Sequence, residues 1–271
     1  MKQAQFALNY SPEAAQLIRE GQIEIDLFKC PDWEDLVQAA QSLRPVYIHF
    51  PISIGDGRLE RLDFKQVENW LAKTETRFVN AHICPSSTIF GSGVDADFVI
   101  EALLKEIGLL GQHFGMDRII IENVPYPDPG FNDALLIEAV QPAVIRALVV
   151  ESGCGFLLDI AHALLACEGI GQQDVCQHLT DLPVASLREL HITGIGPDPH
   201  SGHLVDHLPL QESDWLMLNW VLGQIDQGLW RQPEIIACEY GGIGPLFEWR
   251  SEAAVLAEQI PLMREMIAST V

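Results

Sequence analysis

Basic residues are scarce in this chain, and their scarcity excludes several kinds of partner. The 271 residues include 16 Lys and Arg against 38 Asp and Glu, which gives a formal net charge of −22. A field that negative repels phosphate backbones and anionic lipid head groups. We therefore expect no nucleic-acid partner and no membrane partner, whereas metal cations and a small-molecule substrate remain compatible with the charge.

The sequence also lacks membrane-spanning segments, signal-peptide features and disulfide-type cysteine spacings, and these absences bear on the cellular location and on the state of the thiols. No apolar run approaches the ~20 residues of a membrane span, and the first residues lack the charged and apolar segments of a signal peptide. The six cysteines form no CxxC pair and no spacing typical of a disulfide framework. We expect a cytoplasmic protein whose thiols are reduced.

What the sequence does contain is an alternation of short apolar runs with longer helix-like segments, repeated eight times. The predicted strands are Phe6–Tyr10, Ile23–Lys29, Val46–Ile52, Arg77–Cys84, Arg118–Val124, Gly155–Ile160, Glu189–Ile195 and Glu234–Tyr240. Right-handed crossovers between parallel strands favour a closed barrel. The sequence thus predicts an α/β protein with a single (β/α)8 TIM barrel spanning residues 1–271.

A doubly wound open sheet is the alternative architecture. It is disfavoured because no GxGxxG follows the first predicted strand and no GxxxxGK[ST] occurs in the chain. A predicted helix over residues 132–151 contains Pro142, which should kink or divide it. The helical segment SDWLMLNWVLG carries two tryptophans and is a candidate interface for a homo-oligomer, although packing on the barrel also explains it.

Histidines and carboxylates follow most of the predicted strands. Carboxyl ends of barrel strands meet at one mouth, so residues there can share a site. The strand-end residues are His49, His82, Glu122 with Asn123, Asp159 with His162, His191, and Glu239, and the loop after the seventh strand adds His200, His203, Asp206 and His207. Taken singly, each has a structural explanation: a lone histidine is usually a core or loop residue, and Asp159 or Glu122 could cap a helix.

Their joint occurrence changes that interpretation. Several buried carboxylates in one cavity repel one another unless a cation lies between them. Imidazole and carboxylate together suit zinc, manganese or iron, whereas magnesium and calcium prefer oxygen ligands. The sequence predicts a site for one to three divalent ions (Mn, Zn, Fe or Co), with Asp206 and His207 preferred over His203 in the loop and His200 ranked last.

The ordered series HF, AH, IEN, LLDIAH, ELHITG, DH and CEYGG resembles the xylose-isomerase-like TIM-barrel superfamily. That superfamily includes sugar isomerases and epimerases, endonuclease IV, and multinuclear non-haem iron oxidative enzymes. The resemblance extends from about His49 to Glu239. No single motif is specific, but the order of the series is.

Each subgroup implies a different set of ligands. Similarity to the ketose epimerases implies one divalent metal on Glu122, Asp159, His191 and Glu239, with the two glutamates as acid and base. Similarity to endonuclease IV implies three zinc ions, held in addition by His49, His82, His162, Asp206 and either His207 or His203. Similarity to the iron enzymes rests on Glu122-Asn123, Leu158-Asp159, Glu189-Leu190-His191 and Asp206-His207, although His162 replaces their asparagine and the threonine of their D-T-H loop is missing.

The leading hypothesis is a metal-dependent isomerase or epimerase acting on a small sugar-like or hydroxy-carbonyl substrate. In it, Glu122 and Glu239 would exchange the proton with the substrate carbon. The first alternative is a multinuclear iron enzyme that activates dioxygen on a peptide cysteine or a similar group, which the surplus of ligands favours. A trinuclear-zinc phosphodiesterase is disfavoured by the net charge, and a non-catalytic scaffold barrel is the remaining alternative.

Overall fold

The computed structural model describes residues 4–127, 134–198, 202–244 and 250–269. The chain divides into two compact units. Unit 1 comprises the described residues up to His49 together with those from Glu189 onwards, and unit 2 comprises Phe50–Arg188. The prediction of one domain over residues 1–271 stays a prediction.

Unit 1 contains a five-stranded parallel sheet and an antiparallel hairpin. Along the chain its elements are β1 (Gln5–Asn9), α1 (Pro12–Arg19), β2 (Leu27–Cys30), α2 (Glu34–Gln41), β3 (Val46–Ile48), β8 (Leu187–Ile192), β9 (Gly194–Pro197), β10 (Leu204–Leu208), α9 (Glu212–Asp226), β11 (Ile235–Cys238) and α10 (Ala253–Ala268). The strand order is β3-β2-β1-β11-β8, and β9 pairs with β10. The carboxyl ends of all five parallel strands therefore lie at one edge of the sheet.

Local signals account for the start and end of the first helix of unit 1. The Ser11 side chain accepts a hydrogen bond from the amide of Ala14 at 3.1 Å, and Pro12 occupies the first helical position. The chain leaves the helix through Gly21, whose φ of 69° suits a residue without a Cβ atom. The residue types at both ends are those that typically begin and end a helix.

Unit 2 contains a four-stranded parallel sheet in the order β4-β5-β6-β7. Its elements are β4 (Ser53–Ile54), α3 (Phe64–Lys73), β5 (Val79–Ile83), α4 (Ser87–Phe90), α5 (Ala96–Phe114), β6 (Ile119–Glu122), α6 (Pro142–Ser152), β7 (Gly155–Asp159), α7 (Ile160–Ile170) and α8 (Val175–Asp181). Strand β6 is fully buried, which explains why its sequence IIIE does not alternate.

Helix α7 packs unusually close to the loop that follows β6. A Cβ atom placed on Gly169 would overlap the main-chain carbonyl of Tyr126. Only glycine therefore fits at this position, and the close approach holds α7 against the segment that leaves Glu122.

Pro142 divides the helix predicted over residues 132–151: a 3-10 turn over Ile137–Val140 precedes it, and Pro142 itself begins α6, where its missing amide hydrogen costs nothing. Two other details of the predicted organisation are wrong. The loop after the seventh predicted strand contains the hairpin of β9 and β10. The prediction also omitted α7, because IAHALLACEGI is apolar on all sides and lacks the periodicity of a surface helix.

No helix among the described residues is long and apolar enough to span a bilayer. The six cysteines are free thiols, and all except Cys176 are buried.

Candidate metal centre

Unit 2 gathers four of the predicted ligands at the carboxyl ends of its strands. His82 lies near the end of β5 and pairs in register with Glu122, the last residue of β6. Asp159 ends β7, and His162 lies in the first turn of α7. Single ligand atoms of Glu122, Asp159 and His162 all lie within 4.8 Å of one another.

Backbone carbonyl groups orient the first of the two histidines. Nδ1 of His82 lies 3.0 Å from the carbonyl oxygen of Ile52, so this nitrogen carries the proton and donates it. Nε2 faces the cluster, 3.2 Å from Oε2 of Glu122. A histidine held through one ring nitrogen in this way leaves the other nitrogen directed at a metal site.

His162 is oriented in the same way. Its Nδ1 lies 2.9 Å from the carbonyl oxygen of Asn123 and 3.6 Å from Oε1 of Glu122. Its Nε2 lies 3.9 Å from Oδ2 of Asp159. Glu122 is therefore flanked by a histidine on each carboxylate oxygen.

Asp159 uses its two carboxylate oxygens differently, and the helix cap is the structural role that the sequence offered as an alternative to metal binding. One oxygen, Oδ1, caps α7 by accepting the amide of His162 at 2.8 Å. The other, Oδ2, faces the ring of the same histidine. Asn123 fixes the backbone here, because its side chain accepts the Asp159 amide at 2.9 Å and donates to the Asp159 carbonyl at 2.8 Å.

Unit 1 gathers a second cluster around His191, whose side chain is fully buried. Nε2 of His191 lies 2.8 Å from Oε1 of Glu189, which also accepts the hydroxyl of Tyr47 at 2.9 Å. Nδ1 of His191 lies 3.0 Å from Oε1 of Glu239. A carboxylate on the far ring nitrogen orients a metal-ligating histidine and raises its basicity.

Glu239 contacts several polar groups of unit 1 besides His191. Its Oε1 also contacts the ammonium group of the buried Lys29. Its Oε2 lies 3.9 Å from Nε2 of His207. Its backbone is held by Asn9, whose side-chain amide donates to the carbonyls of Glu239 at 3.1 Å and Gly241 at 3.2 Å.

The hairpin supplies His207 and Asp206 through an irregular backbone. His207 has a φ of 56°, the only positive value among the described non-glycine residues, and the β9–β10 register shifts between Val205 and Leu208. Such strain in a non-glycine residue often marks a functional segment. Arg250 donates to the Asp206 carbonyl at 2.6 Å and holds this part of the hairpin.

The remaining predicted histidines differ in position. The His49 ring lies 5.1 Å from the His191 ring, centroid to centroid, within unit 1. His203 is exposed, so the contacts favour His207 over His203. His200 lies outside the described residues.

The donor set fits a transition metal or zinc. Two ligand atoms that each lie about 2.1 Å from one ion are separated by roughly 3.0–3.5 Å. Two histidine–carboxylate separations lie in this range: 3.2 Å between His82 and Glu122 in unit 2, and 3.0 Å between His191 and Glu239 in unit 1. Nitrogen and oxygen donors in this mixture suit zinc, manganese or iron. The role of each residue, and the binding of one shared set of ions, stay predictions.

Sequence reasoning used Glu189 only as part of the motif around His191, and it gave Tyr47 and Lys29 no role. A signal for Glu189 and Tyr47 was available: each lies two residues before a predicted ligand, His191 and His49, and residues two apart on a strand face the same side. Lys29 could not have been found this way, because its contact with Glu239 depends on the pairing of β2, β1 and β11.

No family model matches the chain. A UPF0276 protein of Rhizobium meliloti is 29% identical over 111 residues, which is 41% of this chain and 32% of that protein. A UPF0276 protein of Caulobacter vibrioides is 26% identical over 111 residues, 40% of this chain and 38% of that protein. The matched segment thus spans about a third of the length of the curated relatives.

Solved structures match over nearly the whole chain. A xylose isomerase-like TIM barrel protein from Mycobacterium smegmatis, in complex with magnesium, gives a TM-score of 0.59 at 13% identity and covers 100% of this chain and 99% of its own. The chain has the xylose isomerase-like TIM-barrel fold. The predicted fold class and resemblance are confirmed.

Two further solved structures have a similar fold. The 3-keto-D-glucoside 4-epimerase YcjR from E. coli has a TM-score of 0.58 at 15% identity, with 97% of this chain and 100% of YcjR covered. The IolI protein, solved with a zinc atom bound, has a TM-score of 0.63 at 12% identity, with 98% and 99% covered. Proteins of this fold thus include enzymes and metal binders.

Proposed function

We propose that this chain is a metal-dependent oxidative enzyme that binds at least two metal ions. The observation that carries the proposal is the number of ligands. In unit 2, Glu122, Asp159 and His162 have ligand atoms close enough to share one ion, and His82 contacts Glu122 beside them. Unit 1 adds His191, Glu239 and His207. A mononuclear epimerase would need only four of these residues, so the surplus favours the multinuclear alternative.

The types of donor atom and the net charge of the chain favour iron chemistry over hydrolysis of nucleic acid. Mixed imidazole and carboxylate donors suit iron, and a net charge of −22 opposes a polyanionic substrate. Bound iron would supply activation of dioxygen for the oxidation of a thiol or a similar group. The chain's own part is to hold the ligands: backbone carbonyls fix both histidines of unit 2, and Glu189 fixes His191.

Metal analysis of protein purified without chelator tests this proposal. We expect two or more irons per chain and visible absorption that appears on oxidation. One equivalent of manganese, cobalt or zinc would instead support the epimerase. Absence of metal, together with an unchanged melting temperature for Glu239→Ala, would refute metal-dependent function altogether.

A matched pair of variants connects the metal to the cluster. Asp159→Asn keeps a good helix cap but loses the ligand charge, so metal affinity should fall by more than about 10-fold. Asp174→Asn is the control, because Asp174 caps α8 in the same manner, accepting the amide of Gln177 at 2.9 Å, and is not among the ligands. Equal metal content in the two variants would remove Asp159 from the site.

A second candidate function is the isomerase or epimerase. It is supported by two buried glutamates, Glu122 and Glu239, which are 1% and 3% exposed and end strands in the two units. In such an enzyme, a buried carboxylate moves a proton at a carbon beside a carbonyl group. Incubation with ketoses in heavy water tests this: deuterium should enter the substrate with the wild type and fail to enter with Glu122→Gln or Glu239→Gln.

A further inference from the structure

Lys29 is a buried cation that neither candidate function uses. Its side chain is 7% exposed, and its ammonium group contacts Oε1 of Glu239, whose side chain is 4% exposed. Burial of a lysine without an opposite charge is costly, so the pair with Glu239 is what makes this position tolerable. The partner carboxylate is also one of the proposed metal ligands.

The backbone gives Lys29 little freedom to move away. It pairs with Asn9 of β1 on one side and with Tyr47 of β3 on the other. Its neighbours Phe28 and Cys30 are 0% and 1% exposed. A change in its contact with Glu239 therefore requires rotation of one of the two side chains and not movement of the Lys29 backbone.

The contact involves the oxygen that a metal ion would need. Oε1 of Glu239 lies 3.0 Å from Nδ1 of His191, a separation suited to two ligands of one ion. The ammonium group of Lys29 contacts the same oxygen. A positive charge at that place attracts the carboxylate and repels a second cation.

We propose that Lys29 is a positioning residue that competes with metal: it holds Glu239 in the metal-free protein and weakens metal binding by the unit 1 cluster. This inference rests on the proposed metal-dependent function. Lys29 therefore has two opposite effects. Its contact with Glu239 stabilises the metal-free protein, and the same contact weakens the binding of a metal ion by the unit 1 cluster.

Substitution of Lys29 tests the proposal through two measurements other than activity. Lys29→Met and Lys29→Gln should lower the melting temperature of the metal-free protein, since Glu239 loses its counter-charge. In both variants the dissociation constant for Zn²⁺ or Fe²⁺ at the unit 1 cluster should fall by about 10-fold or more, since the competing charge is gone. Lys29→Arg keeps the charge and should bind metal no more tightly than the wild type.

Lys105→Met is the matched control, because Lys105 is exposed on α5 and its loss changes only the net charge. A purely structural Lys29 predicts the opposite sign, with weaker metal binding once Glu239 is misplaced. Unchanged or weaker binding in both neutral variants would overturn the proposal. If neither folds without metal, addition of metal during refolding should rescue them, and failure of that rescue would also overturn it.

The outcome is distinguishable from failure of the proposed function. If the wild type binds no metal, the metal-dependent function fails. If the wild type binds metal and the neutral variants bind it no better, only the role of Lys29 fails.

Discussion

The two units carry similar ligands but prepare them differently. In unit 2, neutral backbone carbonyls of Ile52 and Asn123 orient the histidines that flank Glu122. In unit 1, charged groups do this work: Glu189 orients His191, and Lys29 contacts Glu239. Neutral partners fix a tautomer without adding charge, whereas charged partners also change how strongly a cation is attracted.

The largest effect is expected from Glu122→Gln in unit 2. The substitution removes the carboxylate between His82 and His162, and metal affinity should fall by more than about 100-fold, beyond the loss typical of an outer partner. Competition with a chromophoric chelator measures it. Glu106→Gln is the control: burial raises the pKa of this carboxyl, which accepts the Gly55 amide at 2.9 Å. If both variants lost metal affinity to a similar extent, the loss would come from removing any buried carboxylate and not from removing a ligand.

Glu189→Gln tests the charged arrangement of unit 1. Loss of the carboxylate on Nε2 of His191 should weaken metal binding at the unit 1 cluster by about 10–100-fold. Tyr47→Phe removes only the hydroxyl that donates to Glu189 and should have a smaller effect. Isothermal titration calorimetry of each variant with metal measures the two affinities and distinguishes the two effects. If Glu189→Gln binds metal as the wild type does, His191 is not oriented through Glu189.

Asn123→Ala and Asn80→Ala separate stability from metal binding within unit 2. Both side chains clamp a backbone amide and carbonyl, Asn123 those of Asp159 and Asn80 those of Phe50. Each substitution should lower the free energy of unfolding by about 1–3 kcal/mol, measured by urea denaturation. Only Asn123→Ala should also weaken metal binding. Equal metal affinity in the two variants would mean that the Asp159 backbone needs no clamp.

The smallest effect concerns the thiols. Burial raises the pKa of Cys154 and of Cys167 in unit 2 to about 11, and that of Cys30 in unit 1 to about 12. A thiol with a raised pKa stays neutral and unreactive below that pH. At pH 8, iodoacetamide should therefore modify the exposed Cys176 and spare these three, as mass spectrometry would report. Rapid labelling of Cys30 at pH 8 would indicate that unit 1 opens readily.

The sequence predicted the fold well where burial decides the pattern. Runs such as IIIE and GFLLD matched β6 and β7 within one or two residues, because a strand covered on both faces is continuously apolar. It failed for Ile160–Ile170, where an apolar helix has no periodicity to detect.

For the site, the sequence predicted which residue types follow each strand but not their mutual contacts. The pair Glu122 and His82 could be expected from strand ends alone, since parallel strands end at the same edge. The left-handed backbone of His207 and the contact of Lys29 with Glu239 could not, because they depend on register and on the path of the hairpin.

The absent side chain at residue 169 has a consequence for how this protein can vary. Because any atom beyond Cα there would meet the Tyr126 carbonyl, a library randomised at that codon should return glycine almost exclusively after selection for folding. Substitutions elsewhere on the outer surface of α7 should be accepted freely. The constraint at residue 169 is steric and does not depend on activity. A homologue that had lost its activity but kept the fold would therefore still need glycine there.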